Sequence, residues 1–227
     1  MAATGQLTVA AILVAAGDGT RLGANKPKAF VNVAGRTILE HAAARFADHR
    51  QVRDVIVVVP AGLLATASSL VPGAHVVAGG STRQDSVARG LAALADDVEF
   101  VLVHDVARPF VPAEVIGRVL DALVSGAAGV VPTLPVTDTI RRYDAASGEL
   151  GATLDRTALR AMQTPQGFVR SVLVAAHADS AGAGATDDAA LVEAQGEHIV
   201  SVAGDVQAFK ITHPLDLALA EVVALRD

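Results

Sequence analysis

Short apolar runs alternate along this chain with longer segments in which apolar residues recur every three or four positions. The runs Val9–Ala15, Val52–Val59, His75–Ala78, Phe100–Val103 and Gly129–Thr133 draw mostly on Val, Ile, Leu and Ala. Runs of this length and composition predict buried strands. Between them, Thr37–Phe46, Gly62–Leu70, Asp85–Leu94 and Ala113–Leu123 have the spacing of helices with one apolar face. The alternation predicts βαβ units, hence a Rossmann-like α/β fold with a mainly parallel sheet flanked by helices.

The pattern changes after Pro132. From there to about Arg156 the residues alternate as in a hairpin, with Thr139-Ile-Arg-Arg-Tyr143 leading through Asp144–Gly148 to Leu150-Gly-Ala-Thr-Leu154. Pro132 and Pro135 are expected to keep this piece out of a central strand position. A lone hairpin is marginal in water. It therefore predicts either an arm, at about 132–160, that docks on a second subunit, or an excursion covered by its own sheet edge. Ser180–Gly184 reads as a flexible link, Thr186-Asp187-Asp188 as a helix start, and His213–Arg226 as a terminal amphipathic helix with Pro214 in its first turn. The whole reads as a single domain spanning 1–227.

Composition sharpens this picture. A chain of 227 residues with 52% apolar and 3% aromatic content can bury one α/β core made of Val, Ala, Leu and Ile. With no cysteine, disulfides, cysteine-ligated zinc and thiol catalysis are excluded. The net charge of −6 argues against a general nucleic-acid binder, though cations focused in one cleft still suit a small anion. No apolar run has the length of a membrane helix, and no basic segment precedes the first run. A soluble cytoplasmic protein without a membrane partner is expected.

Ligands of open α/β sheets bind beyond the carboxyl ends of the strands. The first such end carries Ala15-Ala16-Gly17-Asp-Gly19-Thr-Arg21-Leu-Gly23, then Lys26-Pro27-Lys28. Glycines there let backbone N–H groups approach an anion, and Arg21 and Lys28 add full charges. The combination suggests a triphosphate site. A dinucleotide fingerprint fails on spacing: its third small residue falls on Leu22, Gly23 comes one residue late, and Glu40 lies in a helix-like run. At another strand end, in His104-Asp105-Val106-Ala107-Arg108-Pro109, Asp105 either helps hold magnesium with nucleotide phosphates, caps a helix or pairs with Arg108. His104 suits a hydrogen-bonded structural role. Gly79–Ser86 is a second glycine turn entering a helix, with Ser86 or Asp85 expected at the cap. Lys210 either closes a cationic cleft or is solvated.

Taken in order, these motifs resemble the 2-C-methyl-D-erythritol 4-phosphate cytidylyltransferases over nearly the whole chain. The likeness runs from the first loop and Pro27-Lys28 through Gly80–Ser86, His104–Pro109 and Val136-Thr-Asp138-Thr139. It continues through Asp155-Arg156, Thr164-Pro165-Gln166 and Thr186-Asp187 to Lys210-Ile211-Thr212. It implies transfer of CMP from CTP to methylerythritol phosphate. It implies that Ala15, Ala16, Gly17, Gly19, Gly80, Ser86 and Ala107 bind the nucleotide and that Arg21 and Lys28 stabilise the reacting phosphates. Asp105 would bind Mg2+, while Thr139, Arg156 and Lys210 would hold the acceptor. It also implies a homodimer interlocked by the arm, whose Thr139 and Arg156 serve the partner's site. Ser81 stands where an acidic residue is associated with the family, Phe30 where tyrosine often stands, and Asp188 in place of Glu.

Overall fold

The computed structural model describes residues 7–15, 26–179 and 187–226. Strand β1 (Val9–Val14) is followed by a 3-10 turn at Lys28–Phe30, a ribbon of β2 (Asn32–Val33) and β3 (Arg36–Thr37), and helix α1 (Ile38–Ala47). Then come β4 (Asp54–Val59), α2 (Leu64–Leu70), β5 (His75–Ala78), α3 (Arg83–Ala92), β6 (Phe100–Asp105) and α4 (Ala113–Val124). The last third comprises β7 (Gly129–Pro135), β8 (Arg141–Tyr143), β9 (Leu150–Thr153), β10 (Arg160–Met162) and β11 (Gln166–Val169). It closes with α5 (Arg170–Asp179), α6 (Asp188–Ala194), β12 (Ile199–Ala203) and α7 (Pro214–Ala224).

Eight strands form one sheet in the order β12-β7-β11-β6-β1-β4-β5, with β10 continuing the β11 edge of β7. Pairing is parallel among β6, β1, β4 and β5 and between β7 and β12, whereas β10 and β11 run antiparallel to their neighbours. The fold is therefore α/β with a mixed, mainly parallel sheet. Because β11 is antiparallel to both β6 and β7, these two point the same way, and the chain leaves β7 towards the arm on the Asp105 side of the sheet.

Strand alternation divides the core. Val9, Ala11 and Leu13, with Val55, Val57 and Val59, face Ile38, Leu39 and Phe46 of α1 and the buried face of α4. Ala10, Ile12, Ile56 and Val58 face the other way, against Val87 and Leu91 of α3, Leu173 of α5 and Leu191 of α6. Both faces of the central strands are covered, which is why they read as unbroken apolar runs. Thr37 is the cap of α1, not its first residue: its hydroxyl accepts from the Glu40 N–H while Glu40 accepts from the Thr37 N–H.

Two expectations are corrected. Pro132 and Pro135 both lie within β7, which is paired on both edges. Pro132 falls at the break between β10 and β11, where its carbonyl accepts from Gln163 N–H and its ring nitrogen, facing the same edge, forgoes a single ladder bond. Helix α7 lacks a polar outer face: Leu217 and Val223 lean on the core, while Leu215, Leu219 and Val222 are exposed. The hairpin of β8 and β9 does form, and among the described residues these strands pair only with each other. The Ser180–Gly184 link lies outside the described residues.

Candidate active site

Register sets the centre of the site. Val14 pairs with Asp105 across β1 and β6, so the chain leaving β1 at Ala15 emerges beside the Asp105 carboxylate. Ala15 N–H still donates to Val58 O, and Gly79 N–H donates to Val59 O at the end of β5. The carboxyl ends of β6, β1 and β5 therefore lie along one edge of the sheet, with β4 between β1 and β5.

Asp105 is the hub. Its Oδ2 lies 2.7 Å from Lys210 Nζ and its Oδ1 3.4 Å from Arg83 Nε. Burial opposes its ionisation, but the charges of Arg83 and Lys210 outweigh that and hold the carboxyl well below the usual carboxylate range. Arg83 also donates from Nη1 to Asp188 Oδ2 at 2.7 Å, and Asp188 Oδ1 lies 2.9 Å from His177 Nε2. Of the alternatives for Asp105, pairing with Arg108 is made through the backbone, where Arg108 N–H donates to Asp105 O in the turn.

His104 is fully buried against Phe46, with ring centroids 4.8 Å apart. Its Nε2 meets Arg108 O at 3.1 Å, which assigns the proton to that nitrogen, and Thr164 Oγ1 then donates to Nδ1 at 3.0 Å. Thr164 Oγ1 in turn accepts from Asp105 N–H at 3.1 Å. Burial lowers the His104 pKa to about 4. It is a neutral structural imidazole that fixes the backbone under Asp105.

The Gly79–Ser86 turn is held from inside. Thr82 caps α3, forming a reciprocal box with Asp85, so the cap expected at Ser86 or Asp85 falls on Thr82. Buried Ser86 accepts from Gly80 N–H at 3.1 Å and donates to Thr82 O at 2.9 Å. A Cβ at Gly80 would lie 2.2 Å from Asp85 Cβ, so only glycine fits there. Arg89 Nη1 donates to Gly79 O and secures the other side.

Residues 205–211 are latched over the same edge. Buried Gln163 donates to Asp205 O and accepts from Asp205 N–H, and Arg108 donates to both Ala208 O and Met162 O. Ile211 N–H donates to Ala107 O, and Lys28 Nζ donates to Ile211 O at 2.7 Å. Lys210 is thus carried to Asp105 by a segment anchored on either side of it, and Lys28 lies one residue along that segment.

The structure therefore brings Ala15, Lys28, Gly80, Ser86, Asp105, Ala107 and Lys210 to one sheet edge. Thr139 and Arg156 lie on the exposed arm, where Arg156 donates to Thr137 O, and neither hydrogen-bonds to Asp105, Arg83 or Lys210. Ala16, Gly17, Gly19, Arg21 and Thr186 lie outside the described residues. Sequence reasoning missed Arg83, Gln163, His177 and the buried role of Asp188. The one available signal was Asp188 following its own cap: Asp187 accepts from Ala190 N–H, which leaves the second carboxylate without capping work.

The donors present fit magnesium only in company. Among the described residues no cluster of three or more metal-ligating side chains occurs. Asp105 is held ionised, and nucleotide phosphates and water would have to complete a hard-cation shell around an ion there.

Comparison with known proteins gives a consistent result. Residues 9–226 match the family described as 2-C-methyl-D-erythritol 4-phosphate cytidylyltransferase. A protein of that description from Rhodococcus jostii is 49% identical over 222 residues, covering 97% of each chain. The crystal structure of the Thermus thermophilus enzyme so named is 42% identical, covers 94% of this chain and 98% of its own, and superposes with a TM-score of 0.79. The Anaerococcus prevotii 4-diphosphocytidyl-2C-methyl-D-erythritol synthase superposes at 0.85 with 26% identity, covering 97% of each chain.

Proposed function

The chain belongs to the 2-C-methyl-D-erythritol 4-phosphate cytidylyltransferase family, and from that premise we propose how the cleft around Asp105 carries out the reaction. The enzyme is a nucleotidyltransferase of the non-mevalonate isoprenoid pathway that moves CMP from CTP to 2-C-methyl-D-erythritol 4-phosphate. A phosphate oxygen of the acceptor bonds to the α-phosphorus, the bond from that phosphorus to the bridging oxygen breaks, and pyrophosphate leaves.

The glycine turn at Gly80, held by Ser86, presents backbone groups to the cytosine edge. Ala15, Ala16, Gly17 and Gly19 wrap the triphosphate, with Ala107 beside it. Arg21 and Lys28 stabilise charge growing on the reacting phosphates, and Asp105 would hold Mg2+ with the nucleotide completing its shell. When bound, magnesium supplies neutralisation of the triphosphate charge. Lys210 leaves Asp105 and binds the acceptor phosphate with Thr139 and Arg156. The acceptor phosphate is already anionic at neutral pH, so no general base is needed, in keeping with a His104 whose two nitrogens are both engaged.

The observation that carries this reading is the 2.7 Å contact of Lys210 with Asp105 beside the end of β1, with Lys28 bonded to the next residue of the same segment. A homodimer joined through the arm is supported by a hairpin that pairs only with itself and exposes Tyr143 and Leu150. Among the described residues no helix is long and apolar enough to cross a membrane. We place the enzyme in the cytoplasm.

The test is pyrophosphate release across nucleotides and acceptors, with CTP affinity measured by calorimetry. Wild-type protein should release pyrophosphate with CTP, methylerythritol phosphate and Mg2+ together. Lys28→Ala should lose about a hundredfold to a thousandfold in kcat while keeping most of its CTP affinity, because that cation acts where charge grows. Full kcat in Lys28→Ala, or equal use of other nucleotides, would refute it.

A further inference from the structure

Behind the cleft runs a line of alternating charge: Lys210, Asp105, Arg83, Asp188 and His177. Its two cations next to Asp105 are held very differently. Lys210 is 43% exposed on a single flexible side chain and is free to change partners. Arg83 is fixed at both ends. Its backbone opens α3 within the Thr82–Asp85 capping box, and its Nη1 is tied to an Asp188 that is 1% exposed.

Asp188 is itself immobilised. Both of its oxygens are used, Oδ2 by Arg83 and Oδ1 by the buried His177. Gln166 of β11 donates to Asp187 Oδ2 and accepts from Ala189 N–H, so the start of α6 is pinned to the sheet on both sides of Asp188. Burying a carboxylate with two partners is costly unless its geometry is well defined. Here the result is a guanidinium whose Nε stands 3.4 Å from Asp105 Oδ1, close enough to orient that carboxylate and long enough to leave it available.

We propose that Asp188 and His177 are positioning residues for cytidylyl transfer: they clamp Arg83, and Arg83 keeps Asp105 aimed at the nucleotide-bound divalent cation after Lys210 departs. The proposal rests on the assignment of Asp105 to Mg2+ made above. Partners of a metal-binding carboxylate typically alter metal affinity by about tenfold or more when removed.

The test measures CTP affinity by calorimetry as Mg2+ is varied, alongside thermal unfolding. It uses the wild type, Asp188→Asn, Arg83→Lys and the pair Arg83→Met with Asp188→Leu. Lysine cannot fork between two carboxylates, and the apolar pair leaves no buried charge without its partner. Each folded variant should need about tenfold more Mg2+ to half-saturate its effect on CTP binding, with CTP affinity in the absence of Mg2+ unchanged. The pair should be no worse than Arg83→Lys. His177→Ala should shift in the same direction, and His177→Gln, which still offers an N–H to Asp188, should shift less. If Asp188→Asn does not fold, the other variants decide. Folded variants with wild-type Mg2+ dependence, or with affinity lost equally with and without Mg2+, would overturn the clamp. A wild type whose CTP binding ignores Mg2+ would instead overturn the Asp105 assignment, and the clamp with it.

Discussion

Single residues here divide by how their polar atoms are satisfied. Asp105 and Lys210 satisfy each other in a partly exposed contact, whereas His104 has both nitrogens committed inside the protein. That difference predicts pH behaviour. The His104 pKa falls from 6.5 to about 4 through burial, so on acidification the unfolded chain takes up this proton before the folded one does. Its contribution is complete above pH 6.5 and is lost as pH falls towards 4, a loss on the order of 3 kcal/mol. NMR titration should find the His104 ring neutral at pH 5.5, and urea unfolding of His104→Gln should show a shallower loss of stability between pH 6.5 and 4 than wild type. An imidazole titrating near its ordinary value would contradict this. Which carboxylates work was only partly legible at this scale. Asp105 stood out because it ends an apolar run. Asp188 did not, because its burial depends on Arg83 of α3, 105 positions away, as well as on His177 of α5.

At the scale of elements, the first two thirds of the chain were readable because each central strand is covered on both faces and each helix on one. The elements β10, β11, α5 and β12 were not, since strands of three to five residues, or a helix burying only Leu173 and Ala176, leave little periodicity. Helix glycines show how closely the layers meet. In α3, a Cβ at Gly90 would lie 2.6 Å from Ile12 Cγ2, on a branched side chain with nowhere to move, whereas Gly117 in α4 has open space around it. Gly117→Ala should therefore stabilise the protein by about 0.5–1 kcal/mol through helix propensity. Gly90→Ala should cost about 1–3 kcal/mol by overpacking, less that same gain. Denaturant titration of the two variants checks the sign of each; a stabilised Gly90→Ala would mean that α3 is not pressed against β1.

At the scale of the whole molecule, the described residues proposed for the nucleotide converge at one sheet edge of a single chain, while those proposed for the acceptor are split between Lys210 and an exposed arm. The sequence showed the hairpin but not what it meets, because the periodicity of a few strand residues says nothing of what lies against an exposed face. The central claim is that one chain's Lys28 cleft works with another chain's Arg156. Mixing Lys28→Ala chains with Arg156→Ala chains and measuring CMP transfer after subunit exchange tests it directly. Each variant alone should be nearly inactive. In a symmetric dimer an equal mixture should regain about a quarter of wild-type activity, because half the dimers are mixed and each of those holds one intact cleft. No recovery, with exchange confirmed by differently tagged chains, would contradict the account.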